Sequence, residues 1–404
     1  MAQHEPAVGG GIIGGGSTGR PTSKPPTKPA NKPVASTTTS PVPRRTTSTP
    51  RATTATPRPT ISTPRTTTSP TSRPIPAPGR KPSTTSDSAD SYYQQGETLY
   101  NANKYKEALE LYLKAVEANP SMSGALYRIG WIYNDLENYE DAVEPLKKVT
   151  SLQPNNAAAF FELGYANKKL DHLAEALTAF QQAVRIKPDY ASAYYQIGWI
   201  YNDQKNYDDA INSLKLAITH RSSYPEAHSE LGYSLRNLGR YSEAIEEYQE
   251  AIKLKPDLAL AYLGLGDVYY YNTKQYAEAA KAYKKGLELR PDNATAFYNL
   301  AWCYNDLEQY TEASEALKNA IRLRADYPEA HNELGYALHQ LRRYAEAVQE
   351  YQTAISQKAN YASAHYNLGM SYVALNNRNA ALEQYRILQR IDNARATKLF
   401  NQIK

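Results

Sequence analysis

Nine alanines fall at almost constant spacing along the chain: Ala108, Ala142, Ala176, Ala210, Ala244, Ala279, Ala313, Ala347 and Ala381. Every step is 34 residues except Ala244 to Ala279, which is 35. A second comb runs upstream of it, at Gly96, Gly130, Gly164, Gly198, Gly232, Gly266, Ala301, Gly335 and Gly369. Two combs of small residues locked to one period describe a stack of like units that bury their apolar faces against one another. They exclude a single conventional core.

The stack does not account for the whole chain. Residues 1–88 hold 17 of the 25 prolines, embedded in Thr, Ser, Arg and Lys, and no aromatic residue precedes Tyr92. Such a stretch has too little apolar surface to offset its conformational entropy, so the expectation for 1–88 is a disordered, Pro/Thr/Ser/Arg-rich tail. Charge divides at the same place. The tail carries 12 Lys or Arg against Glu5 and Asp87, whereas the remainder holds 34 basic and 39 acidic residues.

One unit, residues 191–224, shows how the stack is built. Tyr194, Ile197, Gly198 and Tyr201 lie on one helical face, Asn202 to Asn206 interrupt the pattern, and Tyr207, Ala210, Ile211, Leu214 and Ala217 mark a second amphipathic helix. The same succession of aromatic, Leu-Gly, Tyr, Ala, aromatic and Pro recurs in Tyr262, Leu265, Gly266 and Tyr269, and in Ala244, Tyr248, Ala251 and Pro256. It returns in His365, Leu368, Gly369, Tyr372, Ala381 and Tyr385.

This pattern resembles the tetratricopeptide repeat (TPR) family. The resemblance implies an all-α fold, a right-handed α-solenoid of helix–turn–helix repeats. Nine units are expected over 89–395, with a capping helix over 396–404. Two departures are marked. The extra residue of the sixth unit lies within Val268–Gln275 and is expected to lengthen the turn or bulge the helix end. Pro145 falls inside a second helix and is expected to bend it.

In the resembled family the first helices line a concave groove, through the fifth, ninth, twelfth and thirteenth residues of each unit. Carried onto this chain, the ninth positions include Trp131, Tyr165, Trp199, Tyr233, Trp302 and Tyr336, so all three tryptophans share one register. Fifth positions add Tyr127, Phe161, Tyr195 and Tyr298; twelfth positions add Asn134, Lys168, Asn202, Arg236, Asn305 and His339. Rings of this kind give large contact area at little entropic cost. The expectation is therefore a partner-binding groove for a peptide or a partner helix, with a polar rim of alternating sign. The competing reading is that the rings pack between adjacent helices and the polar residues are a solvated rim. The Lys/Arg and Asn clamp that some relatives use on chaperone tails is absent, since the fifth and ninth positions are mainly aromatic.

No catalytic residues, metal ligands or cofactors are assigned. The glycine-rich run Gly9–Gly19 lacks the following Gly-Lys-Ser/Thr of a phosphate loop. His228, His331 and His365 read as packing histidines, and Glu246-Glu247 as a solvated face. The single cysteine, Cys303, excludes an intramolecular disulfide. The function expected is a non-catalytic scaffold for protein–protein interaction.

Two alternatives stay open. One is a substrate-recruiting subunit of a separate enzyme, such as a glycosyltransferase, because arrays like this precede the catalytic domain of O-linked N-acetylglucosamine transferases and this chain ends at Lys404. The other is contact with nucleic acid or another anionic surface through the basic tail, where Thr49-Pro50-Arg51, Thr56-Pro57-Arg58 and Thr63-Pro64-Arg65 recur every seven residues. No run of 18 apolar residues suits a transmembrane segment. Met1-Ala2-Gln3-His4 does not open a secretory signal, so the default compartment is the cytoplasm, with export or a periplasmic location if the N-terminus is truncated. Oligomeric state stays open.

Overall fold

The computed structural model describes residues 84–404, with side chains from Ser88 onward. The tail and its Thr-Pro-Arg motifs lie outside the described residues, as does the glycine-rich run. The described chain is all-α and divides into two compact units, 84–223 and 224–404. The first unit contains α1 (Thr84–Asn101), α2 (Tyr105–Ala118), α3 (Ser123–Asp135), α4 (Tyr139–Leu152), α5 (Ala157–Lys169), α6 (Leu173–Ile186), α7 (Ala191–Asp203) and α8 (Tyr207–His220). The second contains α9 (Pro225–Asn237), α10 (Tyr241–Leu254), α11 (Ala259–Asp267), α12 (Tyr276–Leu289), α13 (Ala294–Asp306), α14 (Tyr310–Leu323), α15 (Pro328–Gln340), α16 (Tyr344–Gln357), α17 (Ala362–Ala374), α18 (Arg378–Ile391) and α19 (Asn393–Ile403).

The glycine comb is where the two helices of a pair touch. A Cβ added at Gly130 would lie 2.4 Å from Leu146 Cγ, and one at Gly198 would lie 2.6 Å from Leu214 Cγ. Gly96 faces Tyr112, Gly164 faces Phe180, and Gly335 faces Tyr351 in the same way. Each partner stands 16 residues downstream of its glycine and is fully buried or nearly so. A first helix thus surrenders its own side chain so that a large second-helix residue can lie against bare backbone. The alanine comb completes the seam, with all nine alanines fully buried.

Every helix pair turns through one residue with positive φ: Asn103, Glu137, Asp171, Lys205, Gly239, Lys274, Glu308, Arg342 and Asn376. Only one of the nine is glycine, so eight turns hold a side chain in the left-handed region, at a cost of order 1 kcal/mol each. Packing of the helices on either side must supply that energy.

The extra residue of the sixth unit is absorbed as a π-helical turn, Val268–Asn272, at the end of α11. α4 is continuous from Tyr139 to Leu152 through Pro145, which leaves the Asp141 carbonyl without its usual i+4 donor. The last helix starts at Asn393, three residues ahead of the expected 396, because the Asp392 side chain accepts a bond from the Arg395 N–H and caps it. α1 likewise takes in Thr84–Ser88, ahead of the expected first unit.

Gly130→Leu should therefore destabilise the first unit by roughly 1–3 kcal/mol, since Leu146 has nowhere to go. The check is the urea midpoint beside that of an exposed control, Lys148→Leu, which should shift little.

Candidate partner-binding face

The ninth-position rings do not form one uniform surface. Trp131 is only 6% exposed and meets Tyr100 and Tyr105 edge-on, at centroid distances of 5.2 and 5.5 Å. Tyr165 closes on Tyr139 at 6.0 Å, and Tyr336 on Tyr310 at 6.2 Å. Trp302 is 5% exposed and lies at 6.1 Å from Tyr298, in a cluster that includes Tyr276. In each case the first residue of a preceding second helix (Tyr105, Tyr139, Tyr276, Tyr310) stands 26 residues before the ring. These tyrosines repeat at the same period as the rings, so the sequence held the signal that the rings close joints between repeats.

Fifth-position rings are also engaged. Phe161 packs on Phe180 and Tyr190, and Tyr298 on Tyr327, while Tyr195 is buried. Tyr127, Trp199 and Tyr233 remain half-buried.

Trp199 differs from the other two tryptophans for a local reason. The residue 26 positions earlier is Leu173, so no tyrosine ring closes on it edge-on. Its face instead carries the Lys168 ammonium, 3.5 Å from the ring centroid, and Lys168 Nζ also donates to Gln196 Oε1 at 2.7 Å. Lys168 is itself half-buried. In the second unit, Arg236 lies 5.4 Å from the Tyr233 ring.

The twelfth-position residues, expected as a rim of alternating sign, are tied to the next repeat. Asn134 Nδ2 donates to the Glu162 carbonyl at 3.0 Å and to Glu162 Oε2 at 2.9 Å. Arg236 Nη1 donates to Asp267 Oδ2 at 2.5 Å, and His339 Nδ1 lies 2.9 Å from Ser371 Oγ. Asn202 and Asn305 are buried. The alternation of sign thus matches neighbouring repeats to one another. Where a ninth position is acidic, the pairing is denser. Glu97 accepts two bonds from Arg128 and one from Tyr112 OH; Asp267 accepts from Arg236 and from Tyr283 OH at 2.5 Å.

The π-helical turn feeds the second of these nodes. Tyr271 OH donates to Asn299 Oδ1, and Tyr270 OH to Asp306 Oδ2, both at 2.9 Å. Burial pushes the Tyr270 hydroxyl well above its ordinary range, with the Asp306 carboxylate adding to the shift. Tyr271 itself stays 42% exposed.

One further expectation is revised. Glu247 is not a solvated residue: its Oε2 lies 2.6 Å from His228 Nδ1. The same 19-residue link joins His331 to Glu350 and His365 to Gln384, so these histidines tie a first helix to its own second helix. Among the described residues there is no group of three or more His, Cys, Asp or Glu placed to hold a metal ion, and Cys303 is buried. No helix of the described residues is long and apolar enough to cross a membrane.

The comparisons with known proteins agree with this repeat architecture. A TPR repeat model matches residues 172–201, 232–272, 270–302, 303–342 and 338–376. Tetratricopeptide repeat models match 93–157, and also 191–221 and 362–395. Fold and register together define a helical-repeat scaffold for protein–protein interaction. The chain belongs to the tetratricopeptide repeat family.

Similar solved structures include MamA, with 27% identity over 43% of this chain and 94% of that one, at a TM-score of 0.40. YrrB, described as a TPR protein with an unusual peptide-binding site, shows 27% identity over 46% and 97%, at 0.45. The C-terminal part of a TPR repeat-containing protein from Cytophaga hutchinsonii shows 22% over 60% and 99%, at 0.48. No curated protein matches the chain.

Burial raises the Glu162 carboxyl from an ordinary 4.5 to about 7, against the lowering effect of its bond from Asn134. The folded state therefore holds this proton where the unfolded chain has released it, and stability falls as pH rises from about 4.5 to about 7. Glu162→Gln should remove that component and gain stability relative to wild type at pH 8. Urea midpoints measured across this range for both proteins check the sign.

Proposed function

We propose that the protein is a non-catalytic scaffold that holds a protein partner, presented as a peptide or a helix, on the first-helix face that carries Trp199. The supporting observation is the contrast among three tryptophans at one register. Trp131 and Trp302 are sealed, whereas Trp199 stays half-buried with a lysine on its face. A partly open indole beside a cation offers a flat apolar surface and a charge in one place, a combination enriched at binding hot spots. An apolar side chain of the partner then covers the exposed part of the indole.

The same logic extends to the half-buried Tyr127 in the first unit and, separately, to Tyr233 in the second. In the first unit the buried rings Phe161, Tyr165 and Tyr195 lie at the same registers, with Asn134 and Asn202; in the second unit, described separately, Tyr298, Tyr336 and Asn305 do so. Recruitment of substrates to a separate enzyme uses the same face and differs only in who the partner is.

The test uses proteins cross-linked to the full chain in its native host and then purified. Trp199→Ala should weaken the recovered partner by about tenfold or more, equivalent to ~1.4 kcal/mol, with helical content unchanged. Trp131→Ala should instead lower stability by roughly 3–5 kcal/mol, as loss of a sealed ring does. Unchanged affinity in Trp199→Ala would remove the assignment.

A further inference from the structure

The eleventh residue of each repeat is Leu or Tyr, at Leu99, Tyr133, Tyr201, Leu235, Tyr269, Tyr304, Leu338 and Tyr372; the third repeat alone has Asn167. Elsewhere this residue fills the space between its own first helix and the preceding second helix. Tyr201 OH accepts from Gln181 Nε2 at 3.4 Å, and Tyr372 OH from Gln352 Nε2 at 3.1 Å. Asn167 is too short to do so. Its Nδ2 turns back to the Leu163 carbonyl at 2.8 Å, within its own helix.

What remains is an open groove of about 620 Å³ between α4, α5 and α6, floored by Val143, Phe160 and Leu163. Asn167 lines it and is only 5% exposed. Glu140 and Glu175 line it too and make no ion pair; Glu144 makes one, an exposed contact with Lys147 at 3.1 Å. In three other repeats the counterpart of Glu175 makes an exposed ion pair, Glu243 with Arg240, Glu278 with Lys281 and Glu346 with Arg343; Glu107 and Glu312, like Glu175, make none. The place held there by Arg240 and Arg343 is His172 in the third repeat. The groove thus combines an apolar floor containing a ring with carboxylates along its rim.

We propose that this groove is a docking site, distinct from the Trp199 face, and that its occupant is the chain's own Thr-Pro-Arg segment, residues 49–65. Prolines in extended segments dock on ring-lined grooves, and arginines flanking them suit carboxylate rims. Charge complements charge, since residues 1–88 carry 12 basic residues against two acidic ones.

Covalent attachment raises the local concentration of the segment to the millimolar range. Reach is sufficient. The 18 residues between Arg65 and Thr84 span up to ~60 Å when extended. Four successive helix-to-helix steps, from α1 to α5, amount to at most ~40 Å.

The test is limited trypsin digestion of the full chain under native conditions, following cleavage after Arg51 and Arg65; Arg58 precedes Pro59 and resists the enzyme. Docking should slow both cleavages, and Asn167→Tyr, which restores the residue of neighbouring repeats and fills the groove, should speed them roughly fivefold or more. Glu140→Gln/Glu175→Gln should do the same without touching the groove floor, so the proposal stays testable if the tyrosine variant melts early. Equal cleavage rates in wild type and both variants would overturn the proposal. Protection that fades on dilution would assign the occupant to a second copy and overturn docking within one chain.

Discussion

The contact on which the rest depends is the one between bare first-helix backbone and a large second-helix side chain. Gly130 against Leu146, Gly164 against Phe180 and Gly198 against Leu214 leave no room for a methyl group. This close approach buries Tyr112, Leu146, Phe180 and Leu214 completely. Burying a residue of that size contributes roughly 1.5–3 kcal/mol. It offsets the left-handed turn residues, such as Glu137 and Lys205, that each pair tolerates. It also fixes the rotation of each first helix, and so decides which of its residues face the next repeat.

Polar chemistry follows from that rotation. Twelfth-position residues reach forward to the next first helix, and their partners are complementary: Asn134 with Glu162, Lys168 with Gln196, Arg236 with Asp267. An Asn or a cation at one repeat is useful only if the following repeat supplies the matching acceptor. Buried pairs of this kind add little net stability, and losing one partner is costly. They fit a role in holding successive repeats in register, which a purely apolar seam between similar units does not enforce.

The period, the helix pairs and the site of the extra residue were legible in the sequence, because each rests on spacing alone. The combs needed no partner to interpret. The site was less legible, because the difference between Trp131 and Trp199 tracks a residue 26 positions earlier, in a different repeat, and Tyr233, half-buried with Tyr207 at that distance, does not follow the same rule. Trp131 and Trp199 sit in almost the same local sequence, Ile-Gly-Trp-Ile-Tyr-Asn-Asp, and no local rule separates them. Tyr105 seals one, and Leu173 leaves the other partly open. The third repeat departs twice within seven residues, at Asn167 and Leu173. The first departure opens the groove between α4, α5 and α6; the second opens Trp199. Glu97 and Asp267 were visible as acids at an aromatic register, but their role as nodes for Arg128 and Arg236 needed the fold.

One register thus holds two sealed tryptophans and one partly open. Acrylamide quenching of full-length variants that each retain a single tryptophan, with the other two replaced by phenylalanine, reads this directly. Trp199 should be quenched several-fold more strongly than Trp131 or Trp302, and charge-neutral quencher should act on it regardless of salt. Equal quenching of all three, with helical content intact, would contradict the division of the register and the binding face built on it.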